Sequence, residues 1–273
     1  MKIALIQTGC SKIVEENLRR GVEAVEMAAA EGAKIICFPE LSFQPFYPRL
    51  PAGGSNLEFT DTVPGRITEP FSALAAETGT VIIVNLYERD GDNTYDTSPV
   101  IDTTGEIIGR NRMVHITDYS GFHEKGYYQP GDLGPGVFDT EFGRIGIAIC
   151  YDRHYPEYMR ALSLMAAEIV FVPQAGVVGE WPPGLYEAEM RVASFQNGYY
   201  TALCNRVGKE GELNFSGESF VCSPSGEVIA RAASGRPDIL YCDLNTEILP
   251  ESHAHRLFLR DRRPELYGKW FGD

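Results

Sequence analysis

Three side chains that can take part in hydrolysis each follow an apolar, strand-like run. They are Glu40, Cys150 and Gln174. In open α/β sheets, sites form just beyond the carboxyl ends of the strands, so we expect these three residues to lie close together. A thiolate is a nucleophile, and a carboxylate among apolar residues has a raised pKa and can accept the thiol proton. The spacing therefore predicts a site with thiol–carboxylate chemistry.

The functional interpretation of Cys150 depends on the segment that follows it. A buried free cysteine is by itself a common core residue. Residues 151–157 turn abruptly polar, and a helix is predicted to begin near Pro156. A thiol at such a strand-to-helix turn faces a cleft and lies near a helix N-terminus, which favours the thiolate. Cys150 is therefore the predicted nucleophile.

The strands and helices that carry these residues are predicted to occur twice. Buried strands flank a helix whose apolar residues recur at helical spacing and which Gly32 is placed to end. The two strand–helix–strand units are predicted at 2–6, 14–31 and 34–38, and again at 144–149, 157–167 and 168–172.

A second similarity joins segments 98–110 and 219–231, each predicted as a hairpin with a glycine in its turn. Helices are predicted before them at 70–78 and 183–197. Two such halves predict an α/β fold in which two mixed sheets pack face to face beneath outer helices. This is a four-layer α-β-β-α sandwich with an internal pseudo-twofold repeat. We expect one domain over 1–273, with the charged and aromatic tail 251–273 docked at an interface.

Charge and composition limit the partners. The chain has 24 basic and 38 acidic residues and a formal net charge of −14, which disfavours nucleic acid and anionic membranes. An anionic substrate therefore needs a local cationic anchor. No apolar run reaches the length of about 18 residues that spans a bilayer. The first residues are too short and too soon polar for a signal peptide, so we expect a cytoplasmic protein.

The six cysteines are scattered at positions 10, 37, 150, 204, 222 and 242, without a CxxC pair or neighbouring histidines. This pattern is typical of reduced thiols rather than of a disulfide framework or a zinc site. The sequence predicts no metal and no cofactor.

Three ordered blocks resemble the signatures of the nitrilase superfamily of carbon–nitrogen hydrolases. They read FPEL at 38–41, HEKGYYQPGD at 123–132 and GIAICYDR at 146–153. The similarity extends over essentially the whole chain, including NRV at 205–207 and GESF at 217–220. It implies the same α-β-β-α fold, a homodimer or larger homo-oligomer, and cofactor-free hydrolysis of a small-molecule substrate.

The resemblance also implies roles for individual residues. Glu40 is the general base, Cys150 is the nucleophile, and Glu124 is a second carboxylate that helps to hold the site. The thiolate attacks an amide, carbamoyl or nitrile carbon, ammonia or an amine departs, and water hydrolyses the thioester.

One position departs from the family pattern. The family carries a lysine in a pattern close to Arg-Lys-x-His-Ile, and this chain has Met113 where the lysine is expected. The lysine is expected to stabilise the oxyanion and the thiolate, and losing one oxyanion donor lowers the rate by about 10²–10³. Three interpretations stay open: catalysis is lost or altered, a nearby cation compensates, or the methionine is an engineered substitution.

Arg112, His115 and Lys125 are the candidate compensating cations. If 107–116 is a strand, side-chain alternation places His115 on the face of Met113 and Arg112 on the opposite face. His115 is therefore the better substitute.

The resemblance gives two different indications of the substrate. The segment 150–156 is similar to N-carbamoyl amino acid amidohydrolases, including the β-ureidopropionase type, in which the arginine after the cysteine anchors a carboxylate. Arg153 then binds a carboxylate, or instead pairs with Asp152 or Glu157. Segment 124–128 is similar to N-carbamoylputrescine amidases, whose substrate is a cation. The residues predicted to line the pocket are Tyr127, Tyr128, Gln174, Trp181 and Tyr186, with Tyr151 beside the nucleophile.

The sequence therefore predicts a thiol hydrolase of non-peptide C–N bonds, on an amide or N-carbamoyl substrate. The alternatives are a catalytically impaired ligand-binding or scaffold member, which Met113 favours, and a nitrilase acting on nitriles.

Overall fold

The computed structural model describes residues 1–53 and 56–271. Its strands, in chain order, are β1 Lys2–Gln7, β2 Ile35–Cys37, β3 Val81–Ile83, β4 Leu86–Asp90, β5 Asn93–Ile101, β6 Ile107–Arg112, β7 Gly136–Thr140, β8 Gly143–Ile147, β9 Ile169–Gln174, β10 Tyr200–Asn205, β11 Val207–Glu210, β12 Leu213–Ser216, β13 Phe220–Cys222, β14 Val228–Arg231 and β15 Asp238–Asp243. Its α-helices are α1 Val14–Ala30, α2 Thr68–Thr78, α3 Pro156–Leu164, α4 Leu185–Asn197 and α5 Pro264–Phe271.

The two sheets repeat the same strand order, which agrees with the predicted internal repeat. In the first sheet β1, β2 and β3 are parallel, β5 and β6 follow antiparallel, and β4 pairs the other side of β5. In the second sheet β8, β9 and β10 are parallel and are followed by antiparallel β13 and β14. β15 and β7 close the corresponding edges, antiparallel to β1 and β8.

Three apolar clusters define the layers. The inner cluster joins both sheets, with Ile35 of β2 and Ile147 of β8 among its members. A second cluster packs α1 and α2 against the other face of the first sheet, and a third packs α3 and α4 against the other face of the second sheet. Strands with two buried faces explain the nearly continuous apolar runs in the sequence. The predicted α/β fold is confirmed.

Most predicted boundaries agree with the structure to within a few residues. Helices α2 and α4 both end at a glycine in the left-handed conformation, Gly79 and Gly198, where a side chain would be strained. The larger differences lie at the candidate site. The predicted strand 144–149 ends at Ile147, and the predicted strand 107–116 ends at Arg112. In both places the chain leaves the sheet to form a turn.

The tail begins by packing on its own chain. Ala254 is fully buried, and the ring of Phe258 lies 5.3 Å from that of Phe195 on α4. Trp270 on α5 is 66% exposed. Docking of this segment on a neighbouring subunit stays a prediction, and residues 272 and 273 lie outside the described residues.

Over the described ranges, no helix combines the length and the apolar character needed to cross a membrane. All six cysteines are free thiols.

Candidate active site

The candidate catalytic side chains come from five separate elements that meet in the inner cluster. Cys150 follows β8, Glu40 follows β2 and Gln174 ends β9. Glu124 begins a short 3-10 turn, and Asp96 lies within β5. All five residues are buried.

Cys150 occupies a strained turn that its neighbours hold in place. Its φ is +41°, a conformation that non-glycine residues rarely adopt outside sites that require it. The Arg153 guanidinium donates a hydrogen bond to the Cys150 carbonyl oxygen at 2.7 Å. The Asp152 carboxylate accepts hydrogen bonds from the backbone amides of Val114 and His115. The thiol is therefore presented on a rigid turn.

The surroundings of Cys150 do not favour the thiolate in the free protein. Burial raises the pKa of the thiol well above its ordinary value, and the charge of Glu40 raises it further, while Arg153 opposes both. The predicted helix does begin at Pro156, but the thiol itself lies at the start of a 3-10 turn of five residues, Cys150–His154. Removal of the thiol proton therefore needs a base.

Glu40 is placed to be that base. Burial first, and then the charge of Glu124, raise the pKa of its carboxyl to about 8, with a partial offset from the nearby Cys150 and Asp96 side chains. Its backbone is fixed by Arg206, which donates to the Glu40 carbonyl at 2.9 Å and also bonds the Leu41 carbonyl. A carboxyl with a pKa near neutrality can both accept and return a proton.

Glu124 and Asp96 complete a group of three buried carboxyls. Glu124 accepts one hydrogen bond, from the Thr117 amide at 3.1 Å, and Asp96 accepts one from the Asn85 amide nitrogen at 2.6 Å. Burial raises the pKa of both carboxyls well above the ordinary range. Burial therefore disfavours the charged form of both carboxyls in the free protein.

Asp96 was not predicted from the sequence. It lies in a run of polar residues, TYDTS at 94–98, within an otherwise ordinary strand. Its burial follows from its position between β4 and the end of β6, because it pairs with Tyr87 on one side and with Met113 on the other. The one indication in the sequence was an aspartate in the middle of a segment predicted to be a strand.

Met113 lies one residue beyond β6. Its amide donates to the Asp96 carbonyl at 2.9 Å, and its side chain is fully buried in the inner cluster.

The three candidate cations lie elsewhere. Arg112 is paired with Glu88, Asp90 and Asp132, and Lys125 is exposed. The His115 ring bonds Asp152 at 2.7 Å and stacks on Tyr155 at 3.5 Å. The strand alternation that would bring His115 to the face of Met113 is wrong, because the strand ends at Arg112.

Arg153 is buried, and most of its N–H groups donate hydrogen bonds within the protein. It donates to the Gln174 side-chain oxygen at 2.8 Å and to Glu189 at 3.2 Å, rather than to Asp152 or Glu157. Its Nη2 atom is buried without a hydrogen-bond partner among the residues that the structure describes. The guanidinium lies 4.7 Å from the centre of the Tyr186 ring.

The predicted aromatic lining is only partly gathered around the thiol. Tyr151 is half-buried beside it, whereas the Tyr127 hydroxyl donates to the Leu50 carbonyl. The Trp181 ring lies edge-on to His154 at 5.3 Å and to Tyr119 at 6.1 Å.

Glu180 was not predicted to belong to the site. Its carboxylate accepts hydrogen bonds from the hydroxyls of Tyr119, at 2.5 Å, and Tyr186. Its charge also contributes to the raised pKa of Cys150, which relates it to the nucleophile. Tyr186 is only six residues from Glu180 in the sequence, but Tyr119 is 61 residues away, so the sequence carried no local signal for the full contact.

Within residues 1–53 and 56–271, no three His, Cys, Asp or Glu side chains are arranged to hold a metal ion.

Comparison with known proteins gives the family. The family model described as carbon-nitrogen hydrolase matches residues 2–249. The N-carbamoylputrescine amidase of Solanum lycopersicum is 33% identical over 97% of this chain and 93% of its own length. A crystal structure of a carbon–nitrogen hydrolase from Helicobacter pylori is 28% identical, with a TM-score of 0.92, and each chain is covered over 99%.

A third similar protein is an amidase from Nesterenkonia sp., 26% identical with a TM-score of 0.84 over 99% of this chain and 96% of the other. In that structure, a variant of the amidase shows covalent addition of the acetamide moiety of fluoroacetamide at the active site cysteine. The family match over most of the chain, together with these similarities, shows that this protein belongs to the carbon–nitrogen hydrolases of the nitrilase superfamily.

Proposed function

We propose that this hydrolase cleaves a non-peptide carbon–nitrogen bond of a small molecule through a covalent intermediate on Cys150. The observation that carries the proposal is the pairing of a strained, buried thiol with a carboxyl whose pKa is raised to about 8. These are the two properties that a nucleophile and its general base require near neutral pH. Met113 stands in this site as a buried apolar neighbour.

The proposed reaction has two stages. Ionised Glu40 accepts the Cys150 proton while sulfur forms a bond to the carbonyl carbon. Protonated Glu40 then donates to the leaving nitrogen, the C–N bond breaks, and an acyl or carbamoyl thioester remains. Water attacks this carbon, its proton passes to Glu40, and the C–S bond breaks with the proton returning to sulfur. Glu124 bonds the backbone of Thr117 beside the site, and its charge raises the pKa of Glu40.

For the substrate we propose an amide or an N-carbamoyl compound. The Solanum relative is named for an N-carbamoyl substrate, and the Nesterenkonia relative is named an amidase. The open Nη2 of Arg153 supports a role in binding an acceptor group of the substrate, although its other nitrogens are held by Gln174, Glu189 and the Cys150 carbonyl.

Ammonia release from a panel of amides and N-carbamoyl compounds tests this proposal. Replacing the nucleophile in Cys150→Ala is expected to abolish turnover. Cys222→Ala is a matched control, because Cys222 is also a buried free cysteine but belongs to the cluster beneath α3 and α4. Equal turnover by the Cys150→Ala variant and the wild type refutes the proposed nucleophile.

Met113 favours a second candidate, a ligand-binding member without turnover. The buried methionine offers no proton donor to an oxyanion, and Arg112 and His115 are engaged elsewhere. This candidate predicts that ligands from the same panel raise the melting temperature while no ammonia appears and the mass of the chain stays unchanged. Release of ammonia that depends on Cys150 excludes it.

A further inference from the structure

Four carboxyl oxygens at the candidate site have no hydrogen-bond partner outside the site itself. They are both oxygens of Glu40, Oδ2 of Asp96 and Oε1 of Glu124, and apart from the contacts of Glu40 with the Cys150 and Asp96 side chains none is hydrogen-bonded by residues 1–53 or 56–271. We call them the open oxygens. The Tyr128 hydroxyl is also buried without a hydrogen-bond partner among the described residues. The charges of Asp96, Glu40 and Glu124 contribute to raising its pKa. Native proteins bury few unpaired polar atoms, so this concentration indicates a ligand that donates hydrogen bonds.

The cations near the open oxygens are directed to other acceptors. Arg206 is fully buried, and its hydrogen bonds go to backbone carbonyls of residues 40, 41 and 44 and to Glu210. Arg153 is directed to the Cys150 carbonyl, Gln174 and Glu189, and only its Nη2 has no partner among the described residues. Met113, whose side chain is apolar, lies opposite Asp96 on the neighbouring antiparallel segment. The described side chains therefore leave an acidic pocket beside the thiol.

A metal ion does not fit this pocket. Among the described residues no three acidic, thiol or imidazole side chains have the arrangement of metal ligands. The open oxygens fit instead a cation that presents several N–H donors.

We propose that the group cleaved at Cys150 is itself a cation, an amidinium or a guanidinium, rather than a neutral amide. Both groups are planar and present N–H donors at fixed angles, a geometry that carboxylates match well. This inference rests on the proposed thiol hydrolase and narrows its substrate class.

The reaction of such a substrate balances without an oxyanion. Glu40 accepts the thiol proton, sulfur bonds to the amidinium carbon, and the C=N electron pair moves to nitrogen, which gives a neutral tetrahedral adduct. Glu40 returns the proton to one nitrogen, the C–N bond breaks, and ammonia leaves behind a cationic thioimidate.

Water then adds to the thioimidate carbon and passes a proton to Glu40. The C–S bond breaks, the hydroxyl proton returns to sulfur, and an amide is released, or a urea when the substrate is a guanidine. The proton on Glu40 leaves with ammonia as ammonium. Because each addition neutralises a cation, no oxyanion forms, and Met113 does not need to donate a hydrogen bond.

Two further features agree with a cationic substrate. Glu180, held by two tyrosine hydroxyls, adds a fourth carboxylate whose charge acts on Cys150. The whole chain carries a formal net charge of −14, which raises the local concentration of cations and repels anions.

Matched substrate pairs test the inference. Butyramidine with butyramide, and N-butylguanidine with N-butylurea, differ mainly in the charge of the group to be cleaved. We expect kcat/KM for ammonia release to be at least tenfold higher for the cation of each pair. A smaller ratio, or a preference for the neutral compound, overturns the cationic substrate class but leaves the thiol hydrolase intact. No turnover of either class and no adduct on Cys150 overturns both.

Variants at the acidic pocket provide a second test. Met113→Lys places an ammonium beside Asp96 and is expected to lower the cation-to-neutral ratio of kcat/KM at least 100-fold, whereas uncharged Met113→Leu keeps the ratio. Asp96→Asn preserves shape and is expected to lower the ratio at least tenfold. Melting temperatures identify a misfolded variant. If Met113→Lys does not fold, the ratio measured for Asp96→Asn tests the inference. If the ratio stays unchanged in every folded variant, the inference is wrong.

Discussion

Asp96 and Met113 lie directly opposite each other across two antiparallel segments, joined by a hydrogen bond of 2.9 Å from the Met113 amide to the Asp96 carbonyl. Residues opposite each other on neighbouring strands place their side chains on the same face. A carboxyl and an apolar side chain therefore stand side by side next to Glu40. This pair places a carboxyl, with no cation beside it among the described residues, next to Glu40.

Glu40→Gln is expected to lower kcat by about 10²–10⁴, the usual contribution of a general base, with a smaller effect on KM. Glutamine has nearly the same shape but cannot accept the thiol proton. Steady-state kinetics on the best substrate of the panel measure the effect. A variant with wild-type kcat contradicts the assignment of the base.

The activity is expected to rise with pH through about 8. Glu40 must be ionised to accept a proton, and burial together with the charge of Glu124 raises the pKa of its carboxyl to about 8. The logarithm of kcat/KM is then expected to increase by about one per pH unit below that value and to level off above it. A profile already flat from pH 5 upwards contradicts this environment of Glu40.

The free energy of unfolding is expected to fall as the pH rises from about 5 towards 8. The folded pKa values of Glu40 and Asp96 are raised, so the folded state holds protons that the unfolded state has lost. Each extra bound proton lowers stability by about 1.4 kcal/mol per pH unit within this range.

Asp96→Asn removes one of these titrating groups, so its stability is expected to change less steeply with pH than that of the wild type. Urea unfolding at several pH values measures both slopes. Equal slopes show that Asp96 is ionised in the folded state.

Arg112→Met is expected to destabilise the fold by about 1.5–3 kcal/mol, because it removes two charged hydrogen bonds to the fully buried Glu88, which keeps Arg110 and Thr97 as partners. Arg66→Met is a matched control. Arg66 forms an ion pair with Glu15, but both side chains are more than half exposed, so the expected loss is below about 1 kcal/mol. Denaturant unfolding measures both, and similar losses for the two variants contradict the distinction.

The fold was predictable because its buried strands carry continuous apolar runs and recur in two similar halves. The candidate nucleophile and base were predictable for the same reason, since each follows such a run. The inward position of Asp96 depends on its pairing with β4 and the end of β6, which a local pattern does not specify. The position of His115 was predicted wrongly because the Asp152 carboxylate, distant in the sequence, draws the amides at 114 and 115 out of the strand.

The most direct test of the central claim is the intact mass of the protein, quenched in acid during turnover of its best substrate. We expect one adduct per chain, located by peptide mapping on Cys150, absent from Cys150→Ala and retained in Cys222→Ala. An adduct on another residue, or turnover by Cys150→Ala at the wild-type rate, would contradict it.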